Sequence, residues 1–320
     1  MQKNAFPSWF PPMRASLSDQ PFSSKEWIFE PKLDGQRCMA FRDGNKIELW
    51  SANEQPINIQ YPEIVKALAS QRAKQCVLDG EIVAFDGERS SFPKMQLRMH
   101  LHDPALVKAS KVPIFYYVFD LLFLDGKDLR GIPLLERKRL LKQKIRFQKP
   151  LVFMTHLDEK GEEYYGEACR KGWEGLIAKR AESRYISGRS RDWLKLKCVL
   201  EQEFVIGGYS DPEGARSGFG AILVGVYEGD RLHYAGKVGT GFNQEMLDRM
   251  SERLKSIEIS RSPFTDADIP RRGVHWVEPK LVAQLGFAEW TPENKLRQGR
   301  FLGLRDDKPP RDVVRERPIR

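Results

Sequence analysis

The sequence predicts an α+β protein with two domains, residues 1–200 and 201–320, and three observations lead to this prediction. The chain of 320 residues is long enough for two hydrophobic cores. Strand-like and helix-like segments alternate over the first domain. After Val199 the composition shifts to short strands separated by glycine-rich or Gly-Asp turns. We therefore expect antiparallel sheets with helices in the first domain and a small β-barrel in the second.

The first domain begins with strands on both sides of an Asp-Gly pair. Residues 27–33 (WIFEPKL) and 36–42 (QRCMAFR) flank Asp34-Gly35 and are predicted to pair with each other across that turn. Residues 46–51 (KIELWS) continue the same sheet. Residues 62–73 show helical spacing of apolar side chains, with a proline at the first position, where a helix tolerates it.

The rest of the first domain supplies two more strands and two helices. Residues 76–86 and 113–126 are predicted strands, and the second of these is rich in aromatic and β-branched residues. Residues 136–145 have the spacing of an amphipathic helix. A last helix is predicted at 161–172, where Gly172 suits the helix C-terminus.

The second domain has the element order of an OB-fold β-barrel. Three strands, one helix and two further strands are predicted at 203–210, 221–229, 231–239, 243–257, 274–279 and 281–290. The Arg- and Pro-rich end, residues 308–320, is predicted to be a flexible or loosely docked basic tail.

The amino-acid composition limits the classes of protein to which this chain can belong. With 41% hydrophobic and 30% charged residues, the chain is typical of a folded globular protein rather than a disordered one. A run of about 18 apolar residues, the length a membrane-spanning helix needs, does not occur. The N-terminal segment lacks the apolar core of a signal peptide, so we expect a cytoplasmic protein. The net charge of +9 favours a polyanionic partner, although simple solubility would explain it equally well.

The cysteines and histidines show no metal-ligand spacing. Cys38, Cys76, Cys169 and Cys198 lack any C-x-x-C pair, so free buried thiols in a reducing compartment are predicted rather than a disulfide or a zinc site.

Five sequence blocks carry the functional signal. They are EPKLDGQR (30–37), VLDGEIVAFD (77–86), YYVFDLL (116–122), WEGLIAKR (173–180) and WLKLK (193–197). Each block alone is short enough to arise by chance. In this order they resemble the motif series of the covalent nucleotidyltransferases, and of the ATP-dependent DNA ligases in particular. The resemblance implies a nucleotidyltransferase (adenylation) domain followed by an OB-fold domain.

The first block contains the residue that the resemblance identifies as the nucleophile. Lys32 matches the lysine that accepts AMP from ATP, and a lysine can attack only when deprotonated, by burial or by nearby cations including metal. Glu30 matches an acid that accepts a hydrogen bond from the adenine amino group. Asp34 is expected near the ribose and the lysine, although a simple turn-forming role rivals this. Arg37 matches an arginine that contacts the ribose or the DNA phosphate.

The other blocks imply metal and nucleotide contacts. Glu81 and Glu174 match two carboxylates that surround the nucleotide in this family. They could bind Mg²⁺ or Mn²⁺ directly or through water, and the ribose 2′-hydroxyl can be a partner too. Phe119 matches the aromatic side chain that stacks on adenine, although an aromatic in an apolar strand is otherwise core.

Cationic side chains are expected at the phosphates. Lys195 and Lys197 alternate along a strand and so share one face, where they would stabilise charge during phosphoryl transfer. Lys179 matches a further phosphate-contacting lysine of close relatives. In the second domain the block GLRDDK resembles a block that orients the β- and γ-phosphates during the first step only; the matching residues are Arg305, Asp307 and Lys308. A domain that acts in one step and then turns requires a hinge, which we expect near residues 200–204.

Two longer segments sharpen the resemblance, and one position departs from it. Residues 216–242 and 274–291 are most similar to the ligase module of bacterial end-joining ligases. This implies nicked double-stranded DNA as substrate, a monomer, and a Ku-like end-binding protein as a candidate partner. Ala52 stands where the family usually has an arginine on the 5′-phosphate of the nick. One of Arg184, Arg189 and Arg191 is a candidate for a substrate phosphate contact.

Two alternatives remain open from the sequence. An RNA ligase or an mRNA-capping guanylyltransferase shares the lysine block and much of the fold, but Glu30 and the barrel segments argue against capping. A silent DNA-binding scaffold is the alternative from another class. Intact Lys32, Glu81, Glu174, Lys195 and Lys197 argue against it.

Overall fold

The computed structural model describes residues 4–18, 20–198, 200–212 and 218–317. These residues form two compact units, one ending at Cys198 and the other ending at Arg317. The division falls two residues before the boundary expected from composition. Within the described ranges, no helix has both the length and the apolar character needed to cross a bilayer.

The first unit contains two large sheets, one two-stranded sheet formed by β6 and β7, and five helices among its described residues. Its strands are β1 Met13–Leu17, β2 Ser24–Pro31, β3 Gln36–Asp43, β4 Lys46–Ser51, β5 Gln75–Val83, β6 Phe85–Asp86, β7 Arg89–Ser90, β8 Phe115–Leu124, β9 Lys127–Asp128, β10 Leu151–Phe153, β11 Leu157–Glu159, β12 Gly175–Arg180 and β13 Gly188–Lys197. Its helices are α1 Pro62–Ala69, α2 Phe92–Met99, α3 Pro104–Ala109, α4 Leu134–Lys144 and α5 Gly161–Arg170.

The first sheet has five strands in the order β1-β13-β12-β2-β11. Only β1 runs parallel to its neighbour. Helix α5 packs on one face through Ala168, against Phe29 and Leu194. The face away from α5 is therefore available to a second layer.

The second sheet has the order β10-β8-β5-β3-β4, with β9 added on β8. Helices α1, α2 and α4 bury Leu68, Met95 and Leu141 in one apolar cluster with this sheet. A separate cluster, containing Met39 of the second sheet and Trp193 of the first, joins the two sheets. The unit is thus two facing sheets with helices on their outer sides.

The predicted hairpin across Asp34-Gly35 does not form. Strand β2 pairs with β11 and β12 in the first sheet, whereas β3 pairs with β4 and β5 in the second. A side chain at Gly35 would place its Cβ 2.2 Å from the carbonyl oxygen of Ile82, so this crossing requires glycine. At the Asp-Gly pair the chain passes from the first sheet to the second, and Lys32 lies immediately before this crossing.

The second unit is built from strands and one long helix. Its elements are β14 Leu200–Ser210, β15 Ile222–Glu228, β16 Arg231–Val238, α6 Gln244–Lys255, β17 Glu258–Ile259, β18 Val274–Val277, β19 Val282–Phe287, β20 Glu289–Trp290, β21 Leu296–Arg297, β22 Arg300–Leu304 and a 3₁₀ turn at Pro310–Asp312. Seven strands pair in the order β16-β15-β14-β18-β17, with β19 on β14 and β22 on β19. Among the described strands these pairings leave the sheet open, so the predicted closure into a barrel is not seen.

Two local expectations for the second unit concern a hinge and the basic tail. The hinge expected at 200–204 lies inside β14, where Leu200 pairs with Phe287 of β19. The basic tail is docked through much of its length, because Val313 is buried and Val314 bridges to Tyr227. Residues 318–320 of that tail lie outside the described residues. Strand β22, which leads into GLRDDK, was not anticipated.

The prediction for the cysteines is half wrong. Cys169 at the end of α5 and Cys198 directly after β13 form a disulfide, with Cα atoms 5.2 Å apart. They are 29 residues apart in sequence, and only the packing of α5 on the first sheet brings them together. Cys38 and Cys76 are the predicted buried free thiols. Burial raises the pKa of Cys76 to about 12 and raises the pKa of Cys38 as well.

Thiol titration of the purified protein tests this assignment. Without reductant we expect no rapidly reacting thiol in the folded protein, because the two free thiols are buried and protonated. Unfolding without reductant should expose two thiols, and unfolding with prior reduction should expose four. Four thiols in the unreduced, unfolded protein would contradict the disulfide.

Candidate active site

The first sheet presents a row of functional side chains on the face away from α5. Ile177 of β12 pairs with Glu30 of β2 on one side and with Lys195 of β13 on the other. Two residues along, Lys179 pairs with Trp193. Because side chains two residues apart share a face of a strand, all five lie on one surface.

The second sheet faces this surface with three side chains. Arg37 of β3 is the register partner of Glu81 of β5, and Phe119 lies on β8. A cavity of about 180 Å³ lies between the sheets. Its wall contains six residues singled out from the sequence, namely Glu30, Lys32, Arg37, Glu81, Phe119 and Lys179.

Lys32 is fixed at the wall of this cavity by β12. Its N–H donates to the carbonyl oxygen of Gly175 at 2.9 Å, and its ammonium forms an ion pair with Glu174. Gly175 has a φ of +144°, and a Cβ there would lie 1.9 Å from the carbonyl oxygen of Leu196. The glycine after Glu174 therefore lets that carboxylate approach the lysine.

The electrostatics around Lys32 oppose its use as a nucleophile in the free protein. Burial alone would lower the pKa of Lys32, but Glu174, and less strongly Asp34 and Glu81, raise the pKa above its ordinary value. Burial therefore does not by itself deprotonate this amine, and of the two causes expected from the sequence, burial and nearby cations including metal, the second is the one that could lower its pKa. The three carboxylates favour the charged form of Lys32 in the free protein.

Asp34 also has a structural role. Its N–H donates to the hydroxyl of Ser90 at 2.9 Å, and its Oδ2 accepts from the N–H of Phe92 at 3.3 Å. The carboxylate thus lies at the first turn of α2, where an acidic group is favourable. It contributes to the crossing between the sheets as well as to the charge around Lys32.

Arg37 is held in place by hydrogen bonds to an aspartate that was not predicted from the sequence. Its Nε and Nη2 donate to the two oxygens of Asp79 at 2.6 and 2.7 Å, and Tyr185 donates to the same carboxylate at 2.6 Å. The guanidinium lies 4.6 Å from the ring centre of Phe119. Asp79 lies two residues before Glu81 in the same block, so the two side chains share one face of β5. This spacing could have identified Asp79 from the sequence.

Lys179, expected from the sequence to contact phosphate, lies between two aromatic rings and a carboxylate. Its ammonium is 3.9 Å from the ring centre of Phe119 and 4.1 Å from that of Trp193. It forms an ion pair with Glu30 Oε2 at 2.6 Å. Glu30 Oε1 accepts a hydrogen bond from Lys138 of α4 at 2.5 Å. Lys138 was missed, because nothing in its helical spacing sets it apart from neighbouring surface lysines.

The remaining predicted residues lie outside the cavity wall. Lys195 and Lys197 continue the face that carries Trp193, toward the end of β13. Ala52 lies in the turn after β4. The three candidate arginines for a phosphate contact, Arg184, Arg189 and Arg191, are exposed.

The GLRDDK block lies within the second unit. Arg305 pairs with Asp307 at 2.9 Å, and Glu203 of β14 lies 3.9 Å from Arg305 and 3.7 Å from Lys308. The two cations therefore share one carboxylate at the end of β22.

Both units match one family. Residues 12–197 match the family model described as the ATP dependent DNA ligase domain, and residues 215–308 match the ATP dependent DNA ligase C terminal region. The chain belongs to the ATP-dependent DNA ligases. The family predicted from the five sequence blocks is confirmed, as is the fold class of a nucleotidyltransferase domain with a C-terminal strand-rich domain.

Two of the similar relatives are bacterial end joining proteins. It is 40% identical to the multifunctional non-homologous end joining protein LigD of Pseudomonas aeruginosa, over 99% of this chain and 38% of that protein. It is 38% identical to the corresponding LigD of Mycobacterium tuberculosis, over 92% of this chain and 38% of that protein. The chain thus spans well under half the length of these relatives.

A solved structure supports the same fold. The structure described as mycobacterial DNA ligase D complexed with ATP and MES is similar to this ligase with a TM-score of 0.68 and 34% identity. The similarity covers 96% of this chain and 98% of that one.

Proposed function

We propose that the protein seals nicks in double-stranded DNA, joining a 3′-hydroxyl to a 5′-phosphate through a lysyl-AMP on Lys32. One observation carries the proposal. Lys32 lies at the wall of a cavity that also holds Phe119, Arg37 and Glu81, and its ammonium contacts Glu174. A nucleophile, an aromatic ring, a guanidinium and carboxylates in one cavity suit the transfer of an aromatic nucleotide.

The proposed reaction has three steps, and each step is a nucleophilic displacement at a phosphorus atom. The Lys32 amine, after losing a proton to solvent, attacks the α-phosphorus of ATP, and the bond to the β-phosphate breaks with release of pyrophosphate. An oxygen of the DNA 5′-phosphate then displaces Lys32 from AMP. Finally the 3′-hydroxyl loses its proton and attacks that 5′-phosphorus, releasing AMP. Each step exchanges one phosphorus–ligand bond for another and needs no redox partner.

Glu30 and Lys179 are proposed to recognise the base. Adenine presents an amino donor beside a ring-nitrogen acceptor, which complements a carboxylate beside an ammonium. Guanine presents an acceptor and a donor in the reverse order, so it would meet both groups unfavourably. Phe119 offers its ring to the base, and the ammonium of Lys179 lies against that ring in the free protein.

Other residues are proposed to bind sugar and phosphate. Arg37 and Asp34 are proposed to lie near the ribose, and Lys195 and Lys197 lie on the strand face beyond Trp193. Arg305, Asp307 and Lys308 keep the role implied by the family, which is to orient the β- and γ-phosphates in the first step. Preorganised cations of this kind stabilise the charge of the transferring phosphoryl group.

Glu81 and Glu174 are proposed to hold Mg²⁺, with Mn²⁺ as an alternative. Glu174 Oε2 is buried and lacks a hydrogen-bond partner, which suits a metal ligand. No cluster of three or more His, Cys, Asp or Glu side chains occurs among the described residues. This fits Mg²⁺, which usually takes one or two carboxylates plus substrate phosphates. When bound, Mg²⁺ would supply positive charge that offsets the carboxylates raising the pKa of Lys32.

The cellular setting is also a proposal. The relatives named LigD are end-joining proteins, so we propose DNA end joining in the bacterial cytoplasm, with a monomeric ligase and a Ku-like partner. The net charge of +9 supports a polyanionic substrate and predicts that DNA binding weakens as salt rises.

Labelling with nucleotide tests the proposed function. The protein would be incubated with α-labelled ATP or GTP and Mg²⁺, without DNA, and resolved on a denaturing gel. We expect label from ATP and little from GTP. With nicked DNA, and not with nicked RNA, the label should leave the protein and be released as AMP while the nick is sealed. Absence of label, in protein from which pyrophosphate also releases no AMP, would contradict the proposal.

A further inference from the structure

Lys138 is buried behind the base-recognition end of the cavity. Its side chain is 2% exposed, and its ammonium donates to Glu30 Oε1 at 2.5 Å and to the carbonyl oxygen of Met154 at 3.0 Å. The same ammonium lies 5.0 Å from the ring centre of Phe153. Lys138 is absent from the cavity wall, so a bound nucleotide would meet Glu30 and not Lys138.

Glu30 cannot keep its charge at this place without cationic neighbours. The residue is 1% exposed, and burial alone would raise its pKa. Lys138 and Lys179 instead hold the pKa of Glu30 below its ordinary value. Each ammonium takes one carboxylate oxygen, which fixes the plane of the carboxylate while leaving further lone pairs for a ligand.

We propose that Lys138 is a positioning residue that determines the choice of nucleobase, by holding Glu30 as an ionised acceptor aimed at an adenine amino group. This inference rests on the proposed function and names a specificity determinant for it. An ionised carboxylate only accepts hydrogen bonds, and it therefore rejects the carbonyl oxygen of guanine. A protonated Glu30 has a donor and would accept guanine. Lys138 prevents that protonation.

The other charged groups around this cluster do not replace Lys138. Asp120 of β8 acts on Lys179, and His156, in the segment between β10 and β11, is close enough to interact with both lysines and with Glu30. Burial, followed by Lys138, lowers the pKa of His156, so this ring is neutral at neutral pH. Neither group supplies a second cation to Glu30 Oε1.

The test compares Lys138→Met with Lys142→Met in the full chain. Lys142 lies one helical turn further along α4, is exposed, and also approaches Phe153, so it is a matched control. The rate of lysyl-nucleotide formation would be measured against ATP and GTP concentration without DNA. We expect Lys138→Met to reduce the preference for ATP over GTP in this rate by about tenfold or more. A hydrogen bond to a charged group contributes a difference of about this size. Lys142→Met and Lys138→Arg should retain the preference.

The outcomes separate this inference from the proposed function. Wild-type protein that accepts label from neither nucleotide contradicts the proposed function itself. Wild-type protein that prefers ATP, with Lys138→Met retaining that preference, overturns the role of Lys138 alone. If Lys138→Met does not fold, Lys138→Gln is measured instead, and the same loss or retention of preference decides. A purely structural role would slow both nucleotides equally.

A pH profile gives a second readout. Burial, together with repulsion from Lys138, lowers the pKa of Lys179 to about 8 against the attraction of Glu30. Lys179 therefore loses its charge above this pH, and we expect the KM for ATP to rise there in the wild type. Removing the Lys138 ammonium changes the charge around Lys179, so the pH at which the KM rises should move in Lys138→Met. A profile that stays in place would overturn the electrostatic coupling.

Discussion

Lys32→Ala is expected to abolish labelling by ATP and the sealing of ordinary nicked DNA. The amine is the only group of Lys32 that could form a phosphoramide with AMP, and alanine has no substitute for it. Loss of a nucleophile typically lowers a rate by about a thousandfold or more. The assay is the labelled-ATP gel described above, followed by ligation of a nicked duplex.

Two controls make this result specific. Lys32→Arg keeps a cation beside Glu174 but cannot lose its proton, so it should remain folded and also accept no label. DNA that already carries AMP on its 5′-phosphate needs no lysyl-AMP, so Lys32→Ala should still seal it. Failure on the adenylated DNA in a folded variant would mean that Lys32 acts in the last step as well.

Arg137→Met is expected to destabilise the first unit by about 3–5 kcal/mol, the cost of breaking a buried ion pair. Arg137 of α4 and Asp120 of β8 are both fully buried, and Nε and Nη2 donate to the two carboxylate oxygens at 2.7 and 2.8 Å. Arg137 also donates to the carbonyl oxygens of Ile132 and Ser183. The substitution leaves the Asp120 charge uncompensated. Chemical denaturation would measure the change in the free energy of unfolding.

The control for this prediction lies on the same helix. Arg139 is half-exposed, and its ion-pair partner among the described residues is Glu136 one turn away, so Arg139→Met should change the unfolding midpoint little. Combining Arg137→Met with Asp120→Asn removes both charges and should recover part of the lost stability. Equal effects of the Arg137 and Arg139 substitutions would contradict the structural role assigned to Arg137.

The sequence predicted what is encoded in short local blocks. Lys32, Glu81 and Phe119 each lie within a compact motif, and the strands carrying them converge on one cavity. Helix α4 and strand β8 were predicted to within two residues at each end, because their apolar spacing and β-branched content are local properties.

What the sequence did not predict depends on contacts between distant segments. The strands on either side of Asp34-Gly35 enter different sheets, and a turn motif alone cannot distinguish a hairpin from a crossing. The partnership of Lys138 with Glu30 spans 108 residues, and the disulfide from Cys169 to Cys198 requires α5 to pack on the first sheet. Each of these pairings is decided by packing rather than by spacing.

Mapping the nucleotide adduct tests the central claim most directly. Protein incubated with ATP and Mg²⁺ would be digested, and the peptides examined by mass spectrometry for the mass of an added AMP. We predict the adduct on Lys32, linked through a phosphoramide that acid cleaves. An adduct on Lys179, Lys195 or Lys197 instead, or sealing of nicked DNA with no adduct on Lys32, would contradict the account.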